Sequence, residues 1–275
     1  MPPPPNQLLL KENALEEQCL WIISLVLDQR SATWSSAEQK EALLSVLKRD
    51  RDVIVMLKTG GGKSMIPIVA SMMEHEEAVV VVLPLRSLMT DWERKLIAMK
   101  VPFQVYDPTK PLKNTINLIM VSADKARFKT WRQHLAELDA VLPVTRMVFD
   151  EAHLPLLSND FRESMRDMLE LRQFPMQMVL LSATVPPSSI PTLKSMFGLT
   201  PNAREIRQSI NRPELEYILK GPLPSHCIEE EAIQIVMKER RGWSSKDRGL
   251  VFVTYLEDGE NLAQKASLQP DPNIA

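Results

Sequence analysis

Between residues 52 and 181 the chain alternates short, wholly apolar runs with longer stretches that are apolar on one face only. Asp52-Val53-Ile54-Val55-Met56-Leu57 is rich in β-branched residues, with charge on one side and glycine beyond the other. Similar runs occupy Ala78 to Leu83, Asn117 to Val121, Arg146 to Phe149 and Gln177 to Leu181. Runs that are apolar at every position predict strands buried on both faces. Helices are predicted over Ser64 to Met73, Ser87 to Met99, Trp131 to Leu138 and Asp160 to Leu171. Strand–helix alternation of this kind predicts a parallel sheet with helices on both sides, a doubly wound α/β domain.

The ends of the chain read differently. Pro2-Pro3-Pro4-Pro5 predicts an extended, mobile lead. Leu8 to Arg30 predicts a helix with a broad apolar face, ending near Ser31-Ala32-Thr33. After Arg204 the texture changes, and Asn211-Arg212-Pro213 suggests a linker. A helix over Glu229 to Arg240, a strand over Gly249-Leu250-Val251-Phe252-Val253 and a helix over Glu257 to Ala266 follow, before Gln269-Pro270-Asp271-Pro272. One strand and its following helix cannot bury both faces of a sheet, so this second unit is expected to be incomplete. The expected organisation is an extension at 1–32, a main domain at 33–205, and a linker with a truncated second domain at 206–275. No repeat of fixed period is present.

Composition narrows the function classes. Of 275 residues, 44% are apolar and 25% charged, enough for a sizeable core. The net charge of −2 gives no global field for nucleic acid, so any such site must be a local groove. Cys19 and Cys227 are far apart, form no CxxC pattern and read as buried, reduced thiols of an intracellular protein. The four histidines have no metal-ligand spacing, so no zinc site is expected. The longest apolar stretch, Cys19 to Leu27, is far short of the ~20 residues that cross a bilayer. No basic region precedes it, so neither a signal peptide nor a membrane partner is expected.

The first candidate chemistry lies at Thr59-Gly60-Gly61-Gly62-Lys63-Ser64, between a predicted strand and a predicted helix. Glycines there let backbone N–H groups point inward and cradle phosphate oxygens, helped by the positive end of the following helix. Lys63 would reach the β- and γ-phosphates of ATP, and the Ser64 hydroxyl would ligate Mg²⁺. The glycine that usually opens this pattern is Leu57 here.

The second lies 87 positions after Lys63, where Arg146-Met147-Val148-Phe149 ends in Asp150-Glu151 and continues as Ala152-His153. Carboxylates at the C-terminal end of a strand face the crevice where such folds bind ligands. Asp150 can hold Mg²⁺, and Glu151 can orient and deprotonate an attacking water. The third, Leu180-Leu181-Ser182-Ala183-Thr184, ends the next strand 32 positions on. Its small hydroxyls can bond the end of the acidic strand without filling the cleft, and with His153 they are candidates for coupling.

These three elements, in this order, resemble motifs I, II and III of superfamily 2 helicases, and the phosphate loop resembles the RecQ-like form. Gln39, 24 positions before Lys63, stands where that family has an adenine-reading glutamine. Leu83-Pro84-Leu85-Arg86-Ser87-Leu88-Met89-Thr90-Asp91 is similar to the family segment that touches the DNA strand. Val121-Ser122-Ala123-Asp124 sits where the family has Thr-Pro-Glu, Asp160-Phe161-Arg162 matches an Asp-Phe-Arg, and Leu250 to Ala263 resembles motif IV. The resemblance spans roughly residues 33 to 265. It implies a RecA-like P-loop NTPase domain with a doubly wound parallel sheet, followed by an incomplete second RecA-like lobe. It also implies an ATP-dependent, 3′-to-5′ DNA helicase using Mg²⁺, with nucleic-acid contacts at Arg86, Ser87, Ser122, Asp124 and Arg162. Single-stranded or forked DNA, a nuclear location and a part in DNA repair and recombination follow from the same resemblance.

The sequence departs from the family in three places. Leu154-Pro155-Leu156-Leu157-Ser158-Asn159 replaces an aromatic-rich loop, which removes base stacking worth ~1–3 kcal/mol per base. Ser35-Ser36 replaces the Phe-Arg ahead of the glutamine. Motifs V and VI are not encoded, so an arginine finger worth ~10³–10⁵ in rate is expected to be missing unless a partner chain supplies a second lobe. The alternatives are a catalytically weak fragment that binds ATP and DNA, or an RNA helicase or translocase of the same superfamily.

Overall fold

The computed structural model describes residues 5–157, 169–209, 211, 215–219, 224–244, 247 and 249–268. Seven strands make one sheet: β1 (Val53–Met56), β2 (Ala78–Leu83), β3 (Gln104–Val105), β4 (Leu118–Ser122), β5 (Val144–Phe149), β6 (Gln177–Ser182) and β7 (Arg204–Arg207). Their order is β3-β4-β2-β5-β6-β1-β7, and each neighbouring pair is parallel. Parallel neighbours need crossovers, and these are supplied by α3 (Met65–Met73), α4 (Arg86–Ala98), α5 (Ala123–Ala126), α6 (Lys129–Asp139) and α8 (Ile190–Met196). A short α7 (Leu154–Leu157) follows β5.

The alternation within each strand builds two cores, one on each face. Val53, Val55, Val79, Val81, Val148, Val179 and Leu181 point to one side, where α1 (Pro5–Val26), α2 (Ala37–Lys48), α3 and α4 cover them. Ile54, Met56, Val80, Val82, Met147, Phe149 and Leu180 point to the other, against α6 and α8. This is the sandwich that the apolar runs predict.

Several boundaries differ from the sequence expectation. Pro5, expected in the extended lead, is the first residue of α1, a position where its missing N–H costs nothing. That helix stops at Val26 rather than Arg30, because Asp28 turns into the left-handed region (φ 52°). The turn is closed by Gln29 N–H on Ser24 O at 2.9 Å. Most of the helix expected at 160–171 lies outside the described residues, whose next element is a 3₁₀ turn at Leu169–Gln173. Cys19 is buried and free as expected, and burial pushes its thiol up to about 11. Cys227, expected to be buried, is half-buried and also free.

Packing divides the chain into Met1–Asn211 and Arg212–Ala275. Strand β7 crosses the expected boundary at residue 205. In the second unit, α9 (Ser225–Arg240) and α10 (Leu256–Leu268) form where helices were expected. An ion pair joins them, Lys265 Nζ to Glu229 Oε2 at 2.8 Å. The strand expected at 249–253 does not form. A strand needs a ladder partner, and an apolar run without one stays open to solvent: Leu250 is 84% and Phe252 91% exposed.

Candidate active site

The C-terminal ends of β1, β5 and β6 lie side by side, and each carries one of the three motifs. Leu57 N–H donates to Ser182 O at 3.2 Å, tying the start of the phosphate loop to the end of β6. Ala152 N–H donates to Leu181 O at 2.9 Å, tying the acidic motif to the same strand. The parallel register, with Met56 opposite Ser182 and Phe149 opposite Leu180, fixes this convergence.

The loop from Lys58 to Ser64 turns because two of its glycines take φ +79°, Gly60 and Gly62. Gly61 N–H donates to Lys58 O at 2.9 Å and closes the turn. The Lys63 ammonium folds back onto Leu57 O at 2.9 Å and Lys58 O at 3.4 Å. Burial pushes Lys63 below its ordinary range, Glu151 and Asp150 oppose that shift, and Lys95 adds to it. Ser64 is the N-cap residue of α3, and its side chain makes no capping bond.

Gln39 sits on α2, whose N-terminus is capped by Ser36 Oγ accepting from Gln39 N–H at 3.1 Å. The Gln39 amide is buried against the loop. Its Oε1 accepts from Ser35 N–H at 2.9 Å and its Nε2 donates to Gly62 O at 3.3 Å. Ser35 Oγ donates to Gly61 O at 3.1 Å. The Ser35-Ser36 pair thus supplies both the cap of α2 and a prop for the loop.

Asp150 N–H donates to Val82 O at 3.1 Å, and Asp150 Oδ1 accepts from Glu151 N–H at 3.0 Å. Glu151 takes φ 48°, a strained choice for a residue with a side chain. His153 Nδ1 lies 3.3 Å from Glu151 Oε2 and 3.0 Å from Ser182 Oγ. Thr184 N–H donates to Ser182 Oγ at 3.3 Å. With a proton on Nδ1, His153 bridges the acidic motif and the hydroxyl motif.

The donor set suits Mg²⁺ held together with a nucleotide. Among the described residues no group of three His, Cys, Asp or Glu side chains could cage a metal. Mg²⁺ typically takes one or two protein oxygens and fills its octahedron with phosphate oxygens and water. Ser64 at the N-cap of α3 and Asp150 past β5 are side chains of the kind that could supply such oxygens.

Arg86 and Ser87 open α4, just past β2, and both are exposed. Ser122 ends β4 opposite Leu83 of β2, with exposed Asp124 beyond it on α5. All four therefore lie at the same end of the sheet as the phosphate loop. Arg162 lies outside the described residues.

Two further side chains touch the site that the sequence pattern does not single out. Gln208 follows β7, and its Oε1 accepts from Lys58 N–H at 3.3 Å. Trp92 of α4 donates from Nε1 to Asp150 Oδ2 at 2.9 Å. Nothing local marks Gln208, which meets the loop from 150 residues away. Trp92 shares the spacing of Leu88 and Leu96, and so reads as core.

A glycine-rich loop between a strand and a helix, facing a carboxylate pair across a parallel sheet, defines a RecA-like P-loop domain. Residues 36–193 match the DEAD/DEAH box helicase family, and the chain belongs to it. It is 29% identical over 196 residues to an Arabidopsis thaliana protein named ATP-dependent DNA helicase Q-like 4B, covering 65% of this chain and 17% of that protein. It is 25% identical over 245 residues to ATP-dependent DNA helicase Q-like 2 of the same plant, covering 82% of this chain and 34% of that one. The chain thus spans about a third or less of the length of these two curated relatives. In fold it resembles S. cerevisiae Dbp5 bound to RNA and ADP BeF3, with TM-score 0.63 and 16% identity, over 91% of this chain and 64% of that one. Among the described residues, no helix is long and apolar enough to cross a membrane.

Proposed function

We propose that this chain carries the ATP-binding and hydrolysing core of a RecQ-like DNA motor that moves 3′ to 5′. The observation that supports the reading is the lateral bonding of β1, β6 and β5, whose C-terminal ends carry Lys63, Ser64, Asp150, Glu151, His153 and Ser182 at one end of the sheet. Loop N–H groups and Lys63 would hold the β- and γ-phosphates of ATP, displacing the ammonium from Leu57 O. Ser64 and Asp150 would hold Mg²⁺, which offsets charge on the γ-phosphate. Glu151 would take a proton from water as its oxygen adds to the γ-phosphorus and the bond to the bridging oxygen breaks, giving ADP and phosphate. His153 and Ser182 link this acidic motif to the end of β6, through which strand-end movement would be transmitted.

DNA is favoured over RNA by the Thr59–Ser64 loop, by the Pro84–Asp91 segment and by the names of the two plant relatives. Arg86, Ser87, Ser122 and Asp124 would contact single-stranded or forked DNA, with Arg162 from beyond the described residues.

The test is Glu151→Gln. Removing the carboxylate while keeping its size is expected to leave ATP affinity within about two-fold and to lower single-turnover hydrolysis at least ~100-fold, since the interaction exists only in the transition state. Equal hydrolysis in parent and variant would remove Glu151 from the mechanism, and the acidic motif with it.

A further inference from the structure

We propose that Trp92 is a positioning residue for the metal-bearing carboxylate and acts through Asp150. This rests on the nucleotide-site reading above. Asp150 is held at both oxygens: Oδ2 by the Trp92 indole at 2.9 Å and Oδ1 by its own following amide at 3.0 Å. A carboxylate offers about four lone-pair sites, so these two bonds fix its plane and leave the others for a metal or a metal-bound water.

The indole is itself fixed. Trp92 is 2% exposed and packs in the core that includes Leu83 and Leu96. Its N–H can only donate, and its direction is set by how the ring packs. Burial alone does not require this bond. Trp131 is wholly buried as well, yet its Nε1 has no partner among the described residues. Trp92, by contrast, meets the one aspartate that the site needs. Helix α4 also begins with Arg86 and Ser87, so one rigid element carries both the expected DNA contact and the prop of the metal ligand.

Groups that orient a metal ligand from behind typically set metal affinity by 10- to 100-fold. Trp92→Phe keeps the ring and deletes the N–H. In the full chain, a fluorescent ATP analogue is titrated first in chelator and then with Mg²⁺. The chelator affinity of Trp92→Phe is expected to match the parent. Its half-saturating Mg²⁺ is expected to rise about 10- to 100-fold. In an Asp150→Asn background the same substitution should add nothing. An unchanged Mg²⁺ half-saturation overturns the proposal. A parent that binds no analogue under either condition overturns the nucleotide-site reading itself.

A second measurement needs no substitution at Trp92. In the ¹⁵N-labelled parent carrying bound nucleotide, one indole N–H resonance should move when Mg²⁺ is added. The same resonance should be displaced in Asp150→Asn. Indole signals that all ignore both changes would also overturn the proposal.

Discussion

Gly60 and Gly62 share φ +79° but not the same surroundings. A Cβ on Gly60 would meet nothing within 4 Å, whereas one on Gly62 would stand 2.0 Å from Gln39 Nε2. Both substitutions to alanine carry the left-handed strain of roughly 1–2 kcal/mol. Only Gly62→Ala also drives Gln39 off Gly62 O and disturbs the loop that holds phosphate. Gly60→Ala is therefore expected to cost about 1 kcal/mol of stability and to keep nucleotide affinity within a few-fold. Gly62→Ala is expected to lose at least ~10-fold in affinity, about 1.4 kcal/mol. Paired nucleotide titrations and urea unfolding curves decide it. Equal affinities would show that Gln39 does not shape the site. At this scale the sequence is legible where a motif has a backbone reason, as in the glycines, Lys63 and Asp150-Glu151. It is silent on Gln208 and Trp92, because a side chain that arrives from a distant element leaves no local spacing.

Between elements, a buried ion pair joins β5 to the residue that follows α3. Arg146 is wholly buried, and its guanidinium makes a bidentate pair with Glu74 while Nε donates to Val46 O at 3.0 Å. Glu74 reaches solvent at 22% exposure, so the two partners are not equivalent. Glu74→Ala strands a buried cation and is expected to destabilise by about 3 kcal/mol, the low end for such pairs. Arg146→Met leaves a carboxylate that can turn to water and is expected to cost less. Denaturant midpoints at constant slope read the difference. The reverse order would show that stranding the Arg146 charge is not what makes this junction sensitive. The sequence shows Arg146 only as the polar start of an apolar run, and it hides the partner 72 positions away. Strands β1, β2, β4, β5 and β6 were legible because nearly all their positions are apolar. Strand β7, Arg-Glu-Ile-Arg, was not, because as an edge strand it buries only Ile206. Strand β3 is two residues long and gives no pattern. The run at 249–253 shows the converse: apolar character predicts a strand, but pairing is needed to make one.

The placement of site residues across the whole chain leads to a last prediction. Every described side chain of the candidate site lies between Ser35 and Gln208, inside the unit Met1–Asn211. That unit owns the complete seven-stranded sheet and both cores. It also holds α1, whose Cys19, Ile22, Ile23 and Val26 join the core under α3. Residues 1–211 alone should therefore fold cooperatively and bind Mg-ATP as tightly as the 275-residue chain, within about two-fold. The second unit instead exposes a continuous apolar stretch, with Leu250, Phe252, Tyr255 and Leu256 each at least 70% exposed. Exposed apolar stretches of this size mark contact surfaces or association hazards. The shorter protein is accordingly expected to bind less of a hydrophobic dye and to stay monomeric at higher concentration. The net charge of −2 offers no competing long-range repulsion large enough to hide that difference. Nucleotide titration, dye binding and light scattering on the two proteins are the measurements. A loss of ten-fold or more in ATP affinity on removing 212–275 would place part of the nucleotide site in the second unit. It would also show that the contacts among β1, β5 and β6 are not sufficient to hold it.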